Sequence, residues 1–392
     1  MIEDTTVGRK RICIVATVPF AIKVFMRAHI DVLKADYDVT LVASDSAKAL
    51  AELLGDNVSY ISLQIERKIS IKNDVLALIN LWRLFRREKF DGVHSIMPKS
   101  GLLAMIAARY AGVPLRLHTF TGQVWATQSG LRRLMLKISD KVLATNSTRV
   151  LADSHSQRLF LIENNIVKAS KIIVLAEGSV AGVDVNRFKY NATAHNQIRL
   201  QNKIHRGAIV FLFLGRLNHD KGLMDLSRAF AMAAKQDANI HLLVVGPDEE
   251  NLDMEFSALA QKFPGRVHRV GFTDCPESYM AAADVFCLPS YREGFGSVII
   301  EAAAVGLPSI ASRIYGITDA VEDGVTGMLH APATDHEIAE AMLRLASNKD
   351  LRSRMGKAAR VRVMDKFSQA RVTGAFVDFY REMFSTIGIK PR

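Results

Sequence analysis

Cysteine is scarce in this chain, and the little there is does not cluster. Cys13, Cys275 and Cys287 are the only three in 392 residues, and no two stand at metal-ligand spacing. Cys13 and Cys287 fall inside apolar runs, where a thiol behaves as a small buried hydrophobe. A disulfide framework and a zinc site are therefore not expected, and the composition suits a reducing cytoplasm. No apolar run is long and uninterrupted enough to cross a bilayer, and the first residues suggest no signal peptide. Internal repeats, low-complexity tracts and nucleic-acid-binding motifs are missing too, so nucleic acid is not an expected partner.

What the chain does have in excess is positive charge, and it is unevenly placed. Residues 1–190 carry 27 Lys and Arg against 17 Asp and Glu, whereas the remainder carries 24 against 23. Between residues 101 and 150 seven basic side chains meet one acid, Asp140. Such asymmetry points to an anionic partner, with a membrane surface or a phospholipid-linked acceptor ahead of nucleic acid. Within this half, residues 76–89 repeat apolar side chains at helical spacing and end in Arg83, Arg86, Arg87 and Lys89. Cations at a helix C-terminus are favoured by its dipole, which explains them blandly. The alternative is an interfacial helix with Trp82 and Phe85 at lipid headgroups.

At this length two domains are expected, each with its own core. Both halves alternate short apolar strands with amphipathic helices, the pattern of doubly wound parallel sheets. Strands are expected at 12–16, 39–43, 92–95, 115–119, 141–144 and 172–175, then at 209–214, 240–245, 267–270, 285–288 and 309–311. Helices are expected at 71–87, 101–110 and 154–163. The polar stretch 191–206 reads as a linker or surface loop. The expected division is 1–190 joined by a C-terminal helix within 370–392, and 191–369.

Two motifs carry chemistry. Pro289-Ser-Tyr-Arg-Glu293-Gly-Phe-Gly-Ser-Val-Ile-Ile-Glu301 places two glutamates eight positions apart, with Gly294 and Gly296 where a strand turns into a helix. Backbone N–H groups meet anions at such turns, and Glu301, slightly over two helical turns on, can face the same side. The pair reads equally as a capping carboxylate and a solvated helix glutamate. Upstream, Phe211-Leu-Phe-Leu-Gly215-Arg216-Leu-Asn-His-Asp-Lys221-Gly222 ends an apolar strand in glycine and sets two cations five residues apart before a helix. Either cation alone would pass for a solvated side chain.

Together and in this order, the two motifs resemble those of family 4 retaining glycosyltransferases, most closely over residues 208–330. The resemblance implies the GT-B fold, two Rossmann-like α/β domains with doubly wound parallel sheets facing across a cleft. It implies that Arg216 and Lys221 hold the diphosphate of a nucleotide diphosphate sugar and that Glu293 contacts hydroxyls of the transferred sugar. Glu301 would accept from the ribose hydroxyls, and backbone around Gly294, Phe295, Gly296 and Ser297 would reach sugar or diphosphate. In the N-terminal, acceptor-binding half, His118 would meet the donor sugar beside the anomeric carbon; a histidine so placed is also often purely structural. Gln123, Trp125 and Gln128 on the next loop could line an acceptor sugar or simply pack the loop. No Asp-x-Asp triplet accompanies these motifs, so no metal and no cofactor are expected. The final helix, by the same resemblance, packs back on the N-terminal domain.

The chain departs from the family twice. No glycine follows the first strand, where Ala16-Thr-Val-Pro19 suggests a reshaped acceptor or phosphate pocket. The usual Pro-Asn-Gly-Val-Asp is replaced by residues 176–184, ending Gly182-Val183-Asp184. The expected function is retaining transfer of a hexose-type sugar to a lipid-linked or membrane-associated glycan in surface polysaccharide assembly (O-antigen, capsule or exopolysaccharide). The expected place is the cytoplasm, as a peripheral protein at the inner face of the plasma membrane if the basic half meets lipid. Two alternatives stand beside it. One is a GT-B nucleotide-sugar epimerase. The other is a membrane-surface protein that binds nucleotide sugar without turnover.

Overall fold

The computed structural model describes residues 9–45, 51–52, 58–66 and 69–386. They form two compact units, one of residues 1–181 with 370–392 and the other of residues 182–369. The sequence reading had put the division after residue 190; in the structure residues 182–190 belong to the second unit. Gly182 opens that unit at a φ of 63° with no room for a side chain, since a Cβ there would meet the Gln369 backbone at 2.9 Å. Val183 then exchanges backbone hydrogen bonds with Phe367 and Gln369.

The first unit holds a seven-stranded sheet. Its strands are β1 (Lys10–Val15), β2 (Tyr37–Ala43), β3 (Ser59–Ser62), β4 (Gly92–Ile96), β5 (Leu115–Phe120), β6 (Arg149–Ala152) and β7 (Ile172–Val174). All pairs are parallel, in the order β3-β2-β1-β4-β5-β6-β7. Central strands of such a sheet are covered on both faces, which is why residues 12–15 of β1 read as an unbroken apolar run and are fully buried. Helices Ile71–Glu88, Pro98–Tyr110 and Gly130–Asn146 contribute to one core, and helices Arg27–Asp36 and Gln369–Thr386 to another.

The last helix is tied down by two buried histidines. His94 on β4 lies between the Tyr380 hydroxyl at 2.7 Å and Thr119 Oγ1 at 2.8 Å. His29 sits between the Val180 carbonyl at 2.6 Å and Thr373 Oγ1 at 3.0 Å, its ring stacked on Phe376 at 4.1 Å. Burial lowers the His29 pKa to about 4 and that of His94 to about 3. The unfolded chain therefore takes up these protons near its ordinary value while the fold refuses them. Below about pH 6.5 each such histidine costs about 1.4 kcal/mol per pH unit until its own folded pKa is reached. Asp140 and Glu301, raised to about 6 and about 7 by burial, work the other way. Histidines outnumber them, since His118 and His241 are also depressed. The melting temperature should fall on going from pH 7 to pH 5, and a flat profile would contradict this assignment.

The second unit holds β8 (Ile209–Leu214), β9 (Ile240–Val245), β10 (Val267–Val270), β11 (Val285–Leu288), β12 (Ser309–Ser312) and β13 (Gly327–His330). Their order is β10-β9-β8-β11-β12-β13, again all parallel. The order reverses between β8 and β11, so these adjacent strands flank the topological switch point. That is where open α/β sheets bind ligands.

Two readings from sequence are corrected. Residues 141–144 lie in the helix Gly130–Asn146, which meets no glycine or proline after its first residue, and the strand falls later at β6. The stretch 191–206 is loop only after residue 201: Asn191 caps the helix Ala192–Gln201 by accepting from the backbone N–H of Thr193 and Ala194. Its Ile198 and Arg199 are buried, and Arg199 is held by the Ala282 and Ala208 carbonyls and by Asp284. The polar surface of that short helix hid its inward face.

Candidate active site

Both motifs emerge at the switch point of the second unit. β8 ends at Leu214 and leads through Gly215 to Arg216, Asn218 and the turn His219–Lys221. β11 ends at Leu288 and leads through Pro289 to Glu293, Gly294 and the helix Ser297–Val305. Gly222 lets the two loops touch. It has a φ of 68°, and a Cβ there would stand 1.9 Å from the Pro289 carbonyl oxygen. The loops are then stitched by charge. Lys221 Nζ lies 2.5 Å from Glu293 Oε1, which also accepts from the Ser290 hydroxyl at 2.9 Å. Arg292 pairs with Asp220 at 2.7 Å, and the Tyr291 backbone N–H donates to the Asp220 carbonyl at 2.8 Å.

Arg216 reaches outward, donating from one guanidinium nitrogen to both Glu249 oxygens at 3.1 and 2.9 Å. Gly296 at φ 78° sets the start of the Ser297 helix, whose first N–H groups have no carbonyl a turn earlier to bond. Gly316 crosses against this loop, where a Cβ would lie 2.4 Å from the Gly294 carbonyl oxygen. The Phe295 side chain is buried edge-on against Phe367, so only its backbone faces the loop surface. Glu301 is half-buried one turn into the helix. Burial raises its pKa to about 7, with Glu277 reinforcing and Arg187 opposing.

Arg216, Lys221, Glu293, Gly294, Phe295, Gly296, Ser297 and Glu301 are thus gathered on two neighbouring loops and the helix that follows. Sequence reasoning missed Asp220, Ser290, Tyr291 and Arg292 as the residues that fix this geometry. It also missed Asp225, which accepts from the Tyr291 hydroxyl and from Arg228. All but Asp225 and Arg228 lie inside the quoted motifs, but their pairing shows only once β8 and β11 are neighbours.

The first unit treats its candidates differently. His118 sits inside β5 rather than at its end, and the residues beyond the strand are Thr121 and Gly122. Its ring is fully buried with Nδ1 2.9 Å from Ser95 Oγ, and a Cβ on Gly101 would come within 2.5 Å of it. Burial pushes its pKa to about 3. Its Nε2 is buried without a hydrogen-bond partner among the described residues. Trp125 is also fully buried, stacked on Phe160 at 5.0 Å and donating from Nε1 to Asp140 at 2.7 Å. Gln123 is buried and accepts from Gln157 at 3.3 Å. Neither offers a free face to an acceptor; of the three loop residues only Gln128 is partly exposed.

An Asp-x-Asp triplet does occur, at Asp36-Tyr37-Asp38, away from both motifs. It stands at the N-terminal end of β2, with Asp36 accepting from Arg381 at 2.8 Å and Tyr37 packed against Tyr380 and Phe384. Among the described residues no cluster of His, Cys, Asp and Glu is arranged to hold a metal ion. No helix among them is long and apolar enough to cross a membrane.

Comparison with known proteins agrees with this geometry. Residues 195–362 match the family model for glycosyl transferases group 1, and residues 29–178 match a glycosyl transferase 4-like domain. The chain is 32% identical to the capsular polysaccharide biosynthesis glycosyltransferase CapM of Staphylococcus aureus, over 88% of this chain and 90% of the relative. It is 30% identical to a UDP-Gal:alpha-D-GlcNAc-diphosphoundecaprenol alpha-1,3-galactosyltransferase of Escherichia coli, covering 88% and 89%. In fold it matches Anabaena HepE, whose structure holds UDP and glucose, with a TM-score of 0.79 at 17% identity over 95% of this chain and 100% of that one. With two parallel-sheet units, both motifs at one switch point and relatives along most of its length, this chain belongs to the glycosyl transferases group 1 and has their two-domain GT-B fold.

Proposed function

We propose that this glycosyltransferase moves a hexose-type sugar, with retention, from a nucleotide diphosphate to a lipid-linked or membrane-associated glycan in surface polysaccharide assembly. The observation that carries the reading is the Lys221–Glu293 pair held at 2.5 Å between two switch-point loops. The S. aureus and E. coli relatives, named for capsular polysaccharide and for a diphosphoundecaprenol-linked sugar, support the acceptor class. The second unit is the donor domain in this reading, and the first binds the acceptor.

The departing diphosphate gains negative charge as the glycosidic bond breaks. Lys221, Arg216 and the N–H groups at the start of the Ser297 helix are the positive groups that meet that charge in this reading. Arginine can bond two phosphate oxygens at once, whereas lysine acts as a compact point charge. Before donor arrives, Glu293 and Glu249 hold the two cations in place. With donor bound, Lys221 turns to phosphate and Glu293 accepts from hydroxyls of the sugar. Arg216 and Lys221 supply the charge that a divalent ion supplies in other transferases, so no metal is required.

A single experiment tests the reaction class. Labelled nucleotide sugars are incubated with a polyprenyl-diphosphate-linked sugar in excess EDTA, and the product is examined by proton NMR. Label should move to lipid with the anomeric configuration of the donor. Inversion, conversion of the donor to its epimer, or activity restored only by magnesium or manganese would overturn the proposal.

Glu301 gives a pH signature. In this reading its side chain accepts from the ribose hydroxyls more strongly when ionised, and its pKa is raised to about 7. Nucleotide affinity should therefore rise between pH 6 and pH 8 in the wild type and lose that slope in Glu301→Gln, as titration calorimetry would measure.

A further inference from the structure

Positive charge gathers at one end of the first sheet without acid to answer it. Arg116 is the second residue of β5, Arg149 the first of β6, and Lys171 directly precedes β7. These three strands are neighbours, so their N-terminal ends bring the cations together. Arg109 joins them from the last turn of the helix Pro98–Tyr110. This edge is the opposite one from the strand C-terminal ends, where sheets of this kind bind their usual ligands.

Two of the four are fixed by backbone. Arg116 donates from Nε to the Asn146 carbonyl at 2.7 Å and from Nη1 to the Val113 carbonyl at 2.6 Å. Lys171 donates to the Thr145 carbonyl at 3.1 Å. Thr145 and Asn146 end the helix Gly130–Asn146, so capping of that helix accounts for one bond from each cation. It leaves Nη2 of Arg116 and two of the three ammonium protons of Lys171 unspent. Arg149 gives one nitrogen to the adjacent Thr148 carbonyl at 3.2 Å, and Arg109 makes no hydrogen bond among the described residues.

The electrostatics are one-sided. Burial and then Arg109 lower the Arg116 pKa, while burial, Arg116, Arg109 and Arg149 lower that of Lys171. Among the described residues none of the four has a carboxylate at ion-pair distance. In the second unit, by contrast, Arg216, Arg269 and Arg313 face Glu249, Asp253 and Asp323.

We propose that Arg109, Arg116, Arg149 and Lys171 form an anion site on the first unit for a soluble phosphate compound with two or more charges, such as a diphosphate. The charge and the donors select this ligand. One carboxylate would cancel one cation of four. A diphosphate concentrates its charge in one small group, and its oxygens fit the paired N–H groups of arginine. Arg116, Arg149 and Lys171 are half-buried, which suits a small ion that can enter rather than a flat layer of headgroups. The site stands apart from the proposed function and needs no turnover to be tested.

Inorganic pyrophosphate is titrated calorimetrically, at constant ionic strength, into the whole chain carrying Arg216→Ala/Lys221→Ala, which takes away the cations of the β8 and β11 loops. Arg109→Gln/Lys171→Gln and Arg149→Gln are then added separately. Glutamine keeps a donor for the Thr145 carbonyl, and Arg149→Gln gives up only the bond to its chain neighbour. With like charges relieved, neither variant should melt below its parent in the absence of phosphate. The parent should bind pyrophosphate at one saturable site. Arg109→Gln/Lys171→Gln should bind at least about 10-fold more weakly, the factor that one charged hydrogen bond is worth. Arg149→Gln should weaken binding by a smaller factor. No saturable binding in the parent, or undiminished binding in both glutamine variants, would overturn the proposal. So would attachment of the parent to phosphatidylglycerol vesicles without any binding of pyrophosphate.

Discussion

Alanine at Lys221 lowers turnover by about 100- to 1,000-fold, the range expected when one preorganised group facing developing charge is removed. The lysine is placed for that work by Gly222 behind it and by Glu293 beside it, and the site reading gives it no other duty. Glu293→Gln should cost a comparable factor through the sugar hydroxyls. The two changes share one contact, with Nζ and Oε1 2.5 Å apart, so the double variant should lose much less than the product of the single losses. Steady-state kinetics on variants with native circular dichroism decides this. Near-wild-type turnover in both single variants would remove the switch-point loops from the chemistry.

Trp125→Ala should destabilise the first unit by about 3–5 kcal/mol, as expected for truncating a buried aromatic side chain. The indole is stacked on Phe160 and donates to Asp140, which burial already holds at a pKa of about 6. Trp125→Phe isolates the hydrogen bond, because it keeps most of the apolar volume and strands a buried carboxyl. Its cost should be about 1–3 kcal/mol. Urea midpoints measured at constant slope give both values. A Trp125→Phe enzyme with wild-type stability and a raised acceptor KM would restore the sugar-stacking role that the structure removes.

These two residues show where sequence was legible. Arg216, Lys221, Glu293 and Glu301 could be read because a strand ending in glycine, a cation pair and an acidic pair all lie in short contiguous stretches. The switch-point topology then brings those stretches together. The burial of His118 and Trp125 was not legible because a polar or amphipathic side chain near a strand end looks the same from sequence whether it faces ligand or core. Their burial is decided by distant partners: Ser95 and Gly101 for the histidine, Asp140 and Phe160 for the tryptophan. The strand assigned at 141–144 failed for a related reason, since Val142, Leu143 and Ala144 fit either period and only the unbroken run from residue 130 makes them helical. Conversely β3 and β13 escaped notice because each has only two apolar residues, Tyr60 and Ile61 between serines and Met328 and Leu329 between a glycine and a histidine.

Equilibrium binding of nucleoside diphosphate shows whether the donor lies against the β8 and β11 loops. The nucleotide giving the largest thermal shift in a donor panel is titrated calorimetrically into the wild type, Arg216→Ala, Lys221→Ala and Gln128→Ala. Loss of a charged hydrogen bond of about 1.5–3 kcal/mol predicts affinity roughly 10- to 150-fold weaker for each cation variant, with Gln128→Ala unchanged. Undiminished binding to both Arg216→Ala and Lys221→Ala would take the diphosphate away from the β8 and β11 loops.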